Sequence, residues 1–206
     1  MNKISKEIDE RRRDIATRLY EADSIKFGEF TLTSGKSSPY YVDLRLVPSY
    51  PKLFEDICDI CADTLKEIGG NYKIAGVPTS GLPFATLVSQ RLELPLLYVR
   101  RDQKGHGRKK GVEGKFERDY VVLIDDVSTT GGSLKEAAET VREEGGKVEH
   151  AVVILDREEE AHKNLQEMDI DLRPCFTISE IVDYLKESSI LDEEKYSRVK
   201  NHLNNI

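Results

Sequence analysis

The chain has 206 residues, 38% of them hydrophobic and 33% charged, with a formal net charge of −7. That suits one ordinary globular domain with a real core and a heavily charged surface. No apolar run approaches the roughly eighteen residues a membrane helix needs, and Met1–Asp14 is charged throughout with no secretory apolar stretch, so a cytoplasmic protein is expected.

In chain order, Ser5–Tyr20 reads as an amphipathic helix with Ile8, Ile15 and Leu19 on one face. Phe27–Leu32 and Tyr40–Leu44 read as short strands around a Thr-Ser-Gly-Lys-Ser-Ser-Pro turn. Lys52–Ile68 is helical by the spacing of Leu53, Ile57, Ile60, Cys61 and Leu65. A regular alternation follows. Lys73–Val77, Leu96–Val99, Val121–Ile124 and Val148–Leu155 are β-branched, continuously apolar runs, with helical patterns at Leu82–Leu92 and Ser133–Glu144 between them. The last third offers helices near Glu158–Glu167, Ile178–Glu187 and Asp192–Asn204. Strands alternating with helices imply β-α-β units and a central parallel sheet flanked by helices: an α/β fold, expected as one domain over residues 1–206 with residues 1–45 as an N-terminal helix and hood.

Cys58 and Cys61 form a C-x-x-C, but they sit within a helical pattern near its apolar face, and only Cys175 remains as a further thiol. Buried packing is the better reading than zinc or redox chemistry. The charge is uneven. Between Arg100 and Lys115 seven Lys and Arg stand against Asp102 and Glu113, so the segment carries +5 on an otherwise acidic chain. Such an island is either a solvated loop or an anion site, and a poor nucleic-acid surface.

Ligands of open parallel sheets bind beyond the carboxyl ends of the strands, so the residues after each apolar run matter most. Val121–Ile124 runs into Asp125-Asp126, two adjacent carboxylates that would suit ribose hydroxyls or a magnesium-bound sugar. Next come Val127, Ser128, Thr129, Thr130, Gly131, Gly132 and Ser133, opening a helix. Glycines let backbone approach an anion, and hydroxyls with free amides cradle phosphate at a helix start. An ordinary capped β-α turn explains one Asp and one Ser or Thr, not the whole cluster.

This run resembles the signature of the type I phosphoribosyltransferases. The resemblance implies that Asp125 and Asp126 contact the ribose of phosphoribosyl diphosphate, and that Thr130–Ser133 hold its 5′-phosphate. Three more segments are similar to orotate phosphoribosyltransferases: Phe27–Leu32 with Ser34–Tyr41 as a hood motif, Val99–Gly107 with Val112–Gly114 as a mobile catalytic loop, and Leu155-Asp156-Arg157. They imply that Arg157 grips the orotate carboxylate, that Thr129 faces the base, and that Tyr40 and Tyr41 close over the pyrimidine. Gly76–Gly81 fits the diphosphate loop, with Thr79, Ser80 and Gly81 as its contacts. Arg100, Arg101, Lys104 and His106 are spaced to stabilise charge building on the departing diphosphate, and Gly105 and Gly107 suit a closing loop. Thr33, Arg101 and Ser80 stand where some relatives carry lysine, which puts individual diphosphate contacts in question.

The resemblance further implies magnesium, reached by Asp125 and Asp126 through water if at all, and a homodimer sharing the mobile loop. Orotate and phosphoribosyl diphosphate are the expected small-molecule substrates, without nucleic acid or membrane partners. Two alternatives remain open. A purine-type phosphoribosyltransferase would share the donor loop but leave Arg100–His106 and Arg157 unexplained. A ligand-sensing regulator would need a DNA-binding segment, for which Arg11-Arg12-Arg13 is the one tight basic cluster near the start.

Overall fold

In the computed structural model, which describes residues 3–31, 35, 37–100 and 111–205, the apolar runs become strands of one six-stranded sheet. Contacts divide the chain into two compact units, Met1–Asp56 with Thr177–Ile206, and Ile57–Phe176. The segment expected as a hood over residues 1–45 thus shares its unit with the C-terminal helices, a long-range grouping that local periodicity does not reveal.

The Ile57–Phe176 unit holds the sheet. Its strands are β3 (Lys73–Gly76), β4 (Leu96–Val99), β5 (Val112–Glu113), β6 (Tyr120–Ser128), β7 (Lys147–Asp156) and β8 (Asp171–Thr177), in the order β5-β4-β3-β6-β7-β8. The pairs β3–β4, β3–β6 and β6–β7 are parallel, while β5 adds antiparallel to β4. Helices α3 (Gly81–Leu92), α4 (Gly132–Glu143) and α5 (Ala161–Gln166) lie between them, and α2 (Pro51–Ile68) leads in. One sheet face, with Ala75, Leu123, Ala151 and Val153, packs with Leu134, Ala138 and Val141 of α4 and Leu165 of α5. The alternate residues Ile74, Val122, Ile124, Val152 and Ile154 are equally buried, and α3 lies across β3 and β6. Burial on both faces removes any two-residue alternation, which is why these strands read as continuous apolar runs.

Some boundaries differ from expectation. β6 continues four residues past Ile124, through the carboxylate pair to Ser128, because its pairing with β7 persists to Ser128 and Asp156. β5 and β8 carry no expected strand. The first is two residues long; the second, DLRPCFT, contains a proline that reads as a breaker, yet it occupies a sheet edge where a missing donor is tolerated.

The other unit contains α1 (Lys3–Glu21), the antiparallel strands β1 (Ile25–Thr31) and β2 (Ser37–Val42), a 3-10 helix (Leu44–Ser49), α6 (Ile178–Glu187) and α7 (Glu193–Leu203). Leu44, expected at a strand end, instead opens the 3-10 turn, in which the Asp43 carboxylate accepts the Arg45 amide. Its core includes Ile15, Leu19, Ile25, Leu44, Ile178, Ile181 and Leu185. Thr177 and Glu180 form a capping box that starts α6. The basic run of α1 is spent internally: Arg11 pairs with Asp56, Arg12 with Glu180, and Arg13 with Asp9 and Glu187.

All three cysteines are buried, as the packing reading expects. Cys61 hydrogen-bonds Cys175, which together with burial raises its thiol well above the usual range, and burial pushes Cys58 up to about 12. Thiols so held stay protonated and unreactive at neutral pH. Among the described residues no cluster of three or more His, Cys, Asp or Glu could hold a metal ion, and no helix is long and apolar enough to cross a membrane.

Asp56 gathers Arg18 at 2.6 Å and Lys52 at 3.1 Å. Burial alone would raise its carboxyl, but the hydrogen bonds from Arg18 and Lys52 outweigh that and hold it below the ordinary range. A depressed folded pKa stabilises above the unfolded value near ~3.9 and is lost as pH falls through the folded one. Asp56→Asn should therefore cost up to about 1 kcal/mol at pH 7. Parallel denaturant titrations of the two proteins should show that difference shrinking as pH drops below about 4.

Candidate active site

The chain runs from β3 through α3 to β4 on one side, then returns to place β6 on the other side of β3. The carboxyl ends of β3 and β6 therefore flank a topological switch point, where helices leave to opposite faces and open a crevice. The two loops singled out in the sequence, Gly76–Gly81 and Asp125–Ser133, begin at those two ends.

What joins them is a missing side chain. A Cβ on Gly81 would lie 2.5 Å from the Ile124 carbonyl oxygen and 2.9 Å from the Asp125 Cα. Only glycine lets the start of α3 rest on the end of β6. Ser80, which makes no side-chain cap for α3, instead hydrogen-bonds the Asp126 carboxylate. Thr79 is exposed beside it, and the Pro78–Thr79 peptide is cis.

Asp125 is only 6% exposed, and its Oδ1 accepts the Asp126 amide at 2.9 Å. Burial pushes the Asp126 carboxyl above its ordinary range; hydrogen bonding shared with Asp125, and hydrogen bonds from the Val127 and Asp126 amides and Ser80, counter this without overcoming it. The pair is thus a desolvated acceptor set held ready for donors such as vicinal hydroxyls. Beyond it, Gly131 adopts a left-handed φ of +77° at the start of α4, a conformation that favours glycine. Thr130, Gly132 and Ser133 are exposed, Val127 and Thr129 half-buried, and Gly131 makes no side-chain cap. The first amides of α4, with the positive end of the helix dipole, face this loop.

The end of β7 completes the group. Arg157 is 6% exposed, its Nε lies 3.0 Å from Glu159 Oε1, and its amide donates to the Ser128 carbonyl at 3.0 Å. Asp156 accepts from the Ser128 hydroxyl at 2.6 Å. Thr79–Gly81, Asp125–Ser133 and Arg157 are therefore brought together at neighbouring strand ends.

Arg100, at the end of β4, stands apart in its pairing. Its guanidinium meets Glu113 at 3.0 Å and its amide donates to the Gly111 carbonyl at 2.8 Å. Glu144, at the end of α4, accepts the Gly111 and Val112 amides. Both stems of the basic segment are thus fastened. Arg101, Lys104 and His106, as well as Thr33, lie outside the described residues. Tyr40 and Tyr41 belong to the other unit. Tyr40 is fully buried with its ring edge-on to His202 at 6.0 Å, while Tyr41 is half-buried, tilted against Phe30 at 5.7 Å.

Residues 49–184 match the phosphoribosyl transferase domain. The chain is 40% identical over 190 residues to an orotate phosphoribosyltransferase of Sulfolobus acidocaldarius, covering 92% of this chain and 96% of that protein. The chain belongs to the orotate phosphoribosyltransferase family. Solved structures agree with that membership. The orotate phosphoribosyltransferase of Aeropyrum pernix superposes with a TM-score of 0.77 at 33% identity, over 84% of this chain and 98% of that one. UMP synthase of Leishmania donovani gives 0.85 at 31% identity over 94% of this chain, which spans 42% of that longer protein.

Within this orotate phosphoribosyltransferase-family chain, sequence reading overlooks the Ser128–Asp156 bond, His162 at 3.2 Å from Asp156, Asn164, whose side chain donates to the Thr130 carbonyl, and Glu144. Asp156 carried a usable signal, since a carboxylate closing the apolar run Val148–Leu155 is costly without a partner. Glu144 and Asn164 carried none, because helical Glu and Asn are common on solvated faces.

Asp126 offers a direct test. A carboxyl raised by burial favours the folded state below the unfolded pKa, and that contribution is lost as pH rises through the folded value. At neutral pH the ionised group costs stability. Asp126→Asn should therefore raise the melting temperature of the ligand-free protein at pH 7, with the gain shrinking as pH falls through the raised folded value and gone below about 4. Thermal scans of both proteins across that pH range measure this.

Proposed function

We propose that the protein is an orotate phosphoribosyltransferase. It transfers the ribose 5-phosphate of phosphoribosyl diphosphate to orotate, giving orotidine 5′-phosphate and diphosphate on the de novo route to UMP. The observation that carries this reading is the hydrogen bond from the Arg157 amide to the Ser128 carbonyl. It sets a guanidinium suited to a carboxylate beside a loop suited to a ribose phosphate, in a chain whose relatives carry that activity.

The roles follow from the chemistry. Asp125 and Asp126 accept the ribose hydroxyls, and Thr130, Gly131, Gly132 and Ser133 hold the 5′-phosphate with amides and hydroxyls. Val127 and Ser128 carry the strand into that loop, and Thr129 faces the base. Thr79, Ser80 and Gly81 flank the diphosphate. Arg157 presents its planar donor fork to the orotate carboxylate. Of the two tyrosines, Tyr41 is the ring available to a ligand, whereas full burial gives Tyr40 an interior packing role. The orotate ring nitrogen attacks the anomeric carbon as its bond to diphosphate breaks. Positive charge then grows on the ribosyl ring and negative charge on the leaving group. Cations aimed at the latter stabilise the transition state more than the ground state. Arg100, Arg101, Lys104 and His106 are assigned that task, and releasing Arg100 from Glu113 would bring its charge to bear.

The donor set fits magnesium carried in with the diphosphate. Two adjacent carboxylates and a serine hydroxyl, without a third acidic ligand among the described residues, match an ion that keeps waters and substrate phosphates. When bound, it supplies neutralisation of the leaving group's charge. A cytoplasmic homodimer whose basic loop serves the neighbouring subunit completes the proposal. The internal ion pairs of Arg11, Arg12 and Arg13 argue against a DNA-binding regulator.

The decisive assay follows orotate by its ultraviolet absorbance with phosphoribosyl diphosphate and magnesium. Consumption dependent on both, with none for adenine, guanine or hypoxanthine, is expected. Lys104→Ala should slow turnover by about 100-fold or more, in line with loss of one transition-state charge contact, while donor binding falls little. Transfer to a purine instead, or undiminished turnover by the variant, would contradict the assignment.

A further inference from the structure

Asp156 is 1% exposed, at the end of β7, in a position where an apolar side chain would be cheaper than a carboxylate. Its Oδ1 accepts the Ser128 hydroxyl at 2.6 Å, and its Oδ2 lies 3.2 Å from Nε2 of His162, a half-exposed residue of α5. Ser128 and Asp156 are also register partners in the parallel ladder.

The chain that follows Asp156 then takes up the donor loop carbonyl by carbonyl. The Arg157 amide donates to Ser128 O at 3.0 Å, the Ala161 amide to Thr129 O at 3.1 Å, and Asn164 Nδ2 to Thr130 O at 2.9 Å. A trans peptide is planar, with its N–H directed opposite to its C=O. Drawing the carbonyls of Ser128, Thr129 and Thr130 toward residues 157–164 therefore turns the amides of Thr129, Thr130 and Gly131 the other way. Three consecutive amides aimed to one side form an anion-binding concavity before the α4 amides are counted.

We propose that Asp156 is a positioning residue, which with His162 and Asn164 fastens the β7–α5 segment to the donor loop and so aims that loop's amides at the 5′-phosphate. The 3.2 Å contact with His162 ties the start of α5 to the strand end, and the Ser128 hydroxyl sets the first peptide of the loop. Arg157, the next residue, is fixed by the same bonds, so the grip on the base and the cradle for the sugar phosphate share one frame. Binding of either ligand orders what the other needs, and the two should bind with positive coupling. This inference rests on the donor assignment of the Asp125–Ser133 loop, but not on the identity of the base.

Titration calorimetry with phosphoribosyl diphosphate and magnesium tests it without turnover. Ser128→Ala and Asp156→Asn should weaken donor binding about tenfold or more, and Ser128→Thr, which keeps the hydroxyl, should recover most of it. Asn164→Ala changes an exposed side chain and keeps the test open if the buried variants fold poorly; a weakening of about threefold to tenfold is expected. In steady state the effect should appear in the KM for the donor, with kcat within about threefold, the pattern of lost uniform binding. A purely structural role would lower melting temperature and leave donor affinity untouched, and that result would overturn the proposal. A wild-type protein that binds donor but does not consume orotate would overturn the proposed reaction instead, leaving the calorimetric comparison intact.

Discussion

The close approach of the start of α3 to the end of β6, made at Gly81, is the contact on which the rest of the site depends. It sets the Gly76–Gly81 loop against the carboxylate pair, brings Ser80 to Asp126, and closes one wall of the crevice between β3 and β6. The strand order creates the crevice, but strand order alone would leave the two loops apart by a side chain's width. Removing that side chain lets the two loops meet at one crevice.

Around that contact the site accumulates groups that cost stability. Asp126 is pushed up by burial, Asp156 is buried whole, and Arg157 is nearly so. Each is offset in part by a neighbour: Ser80 for Asp126, Ser128 for Asp156, Glu159 for Arg157. The covering layers compensate with continuous apolar packing of α4 and α5 on the sheet. Such strain concentrated at strand ends, over an ordinary core, is the expected signature of a functional site.

Much of this was legible in the sequence, for physical reasons that differ by element. The strands β3, β4, β6 and β7 announce themselves because sheets covered on both faces need unbroken apolar runs. The Asp125–Ser133 loop announces itself because two carboxylates, four hydroxyls and two glycines exceed what a capped turn requires. β8 stayed hidden because its proline signals a break, and sequence does not say which strand lies at an edge. The Asn164 and Glu144 contacts stayed hidden because they depend on how loops distant in sequence pack, and a helical Asn or Glu looks the same whether solvated or bonded. Tyr40 and Tyr41 read alike as neighbours, yet β2 buries the first fully and leaves the second half-covered.

The most direct test of this arrangement is donor affinity in Gly81→Ala, measured by calorimetry with phosphoribosyl diphosphate and magnesium alongside orotate turnover. A methyl at that position must displace either α3 or the end of β6, since the Ile124 carbonyl lies 2.5 Å away. The expected result is a folded protein whose donor binding weakens at least about tenfold, or 1.4 kcal/mol, with turnover falling in step. Donor affinity and orotate turnover equal to the wild type would contradict the dependence of both loops on that contact.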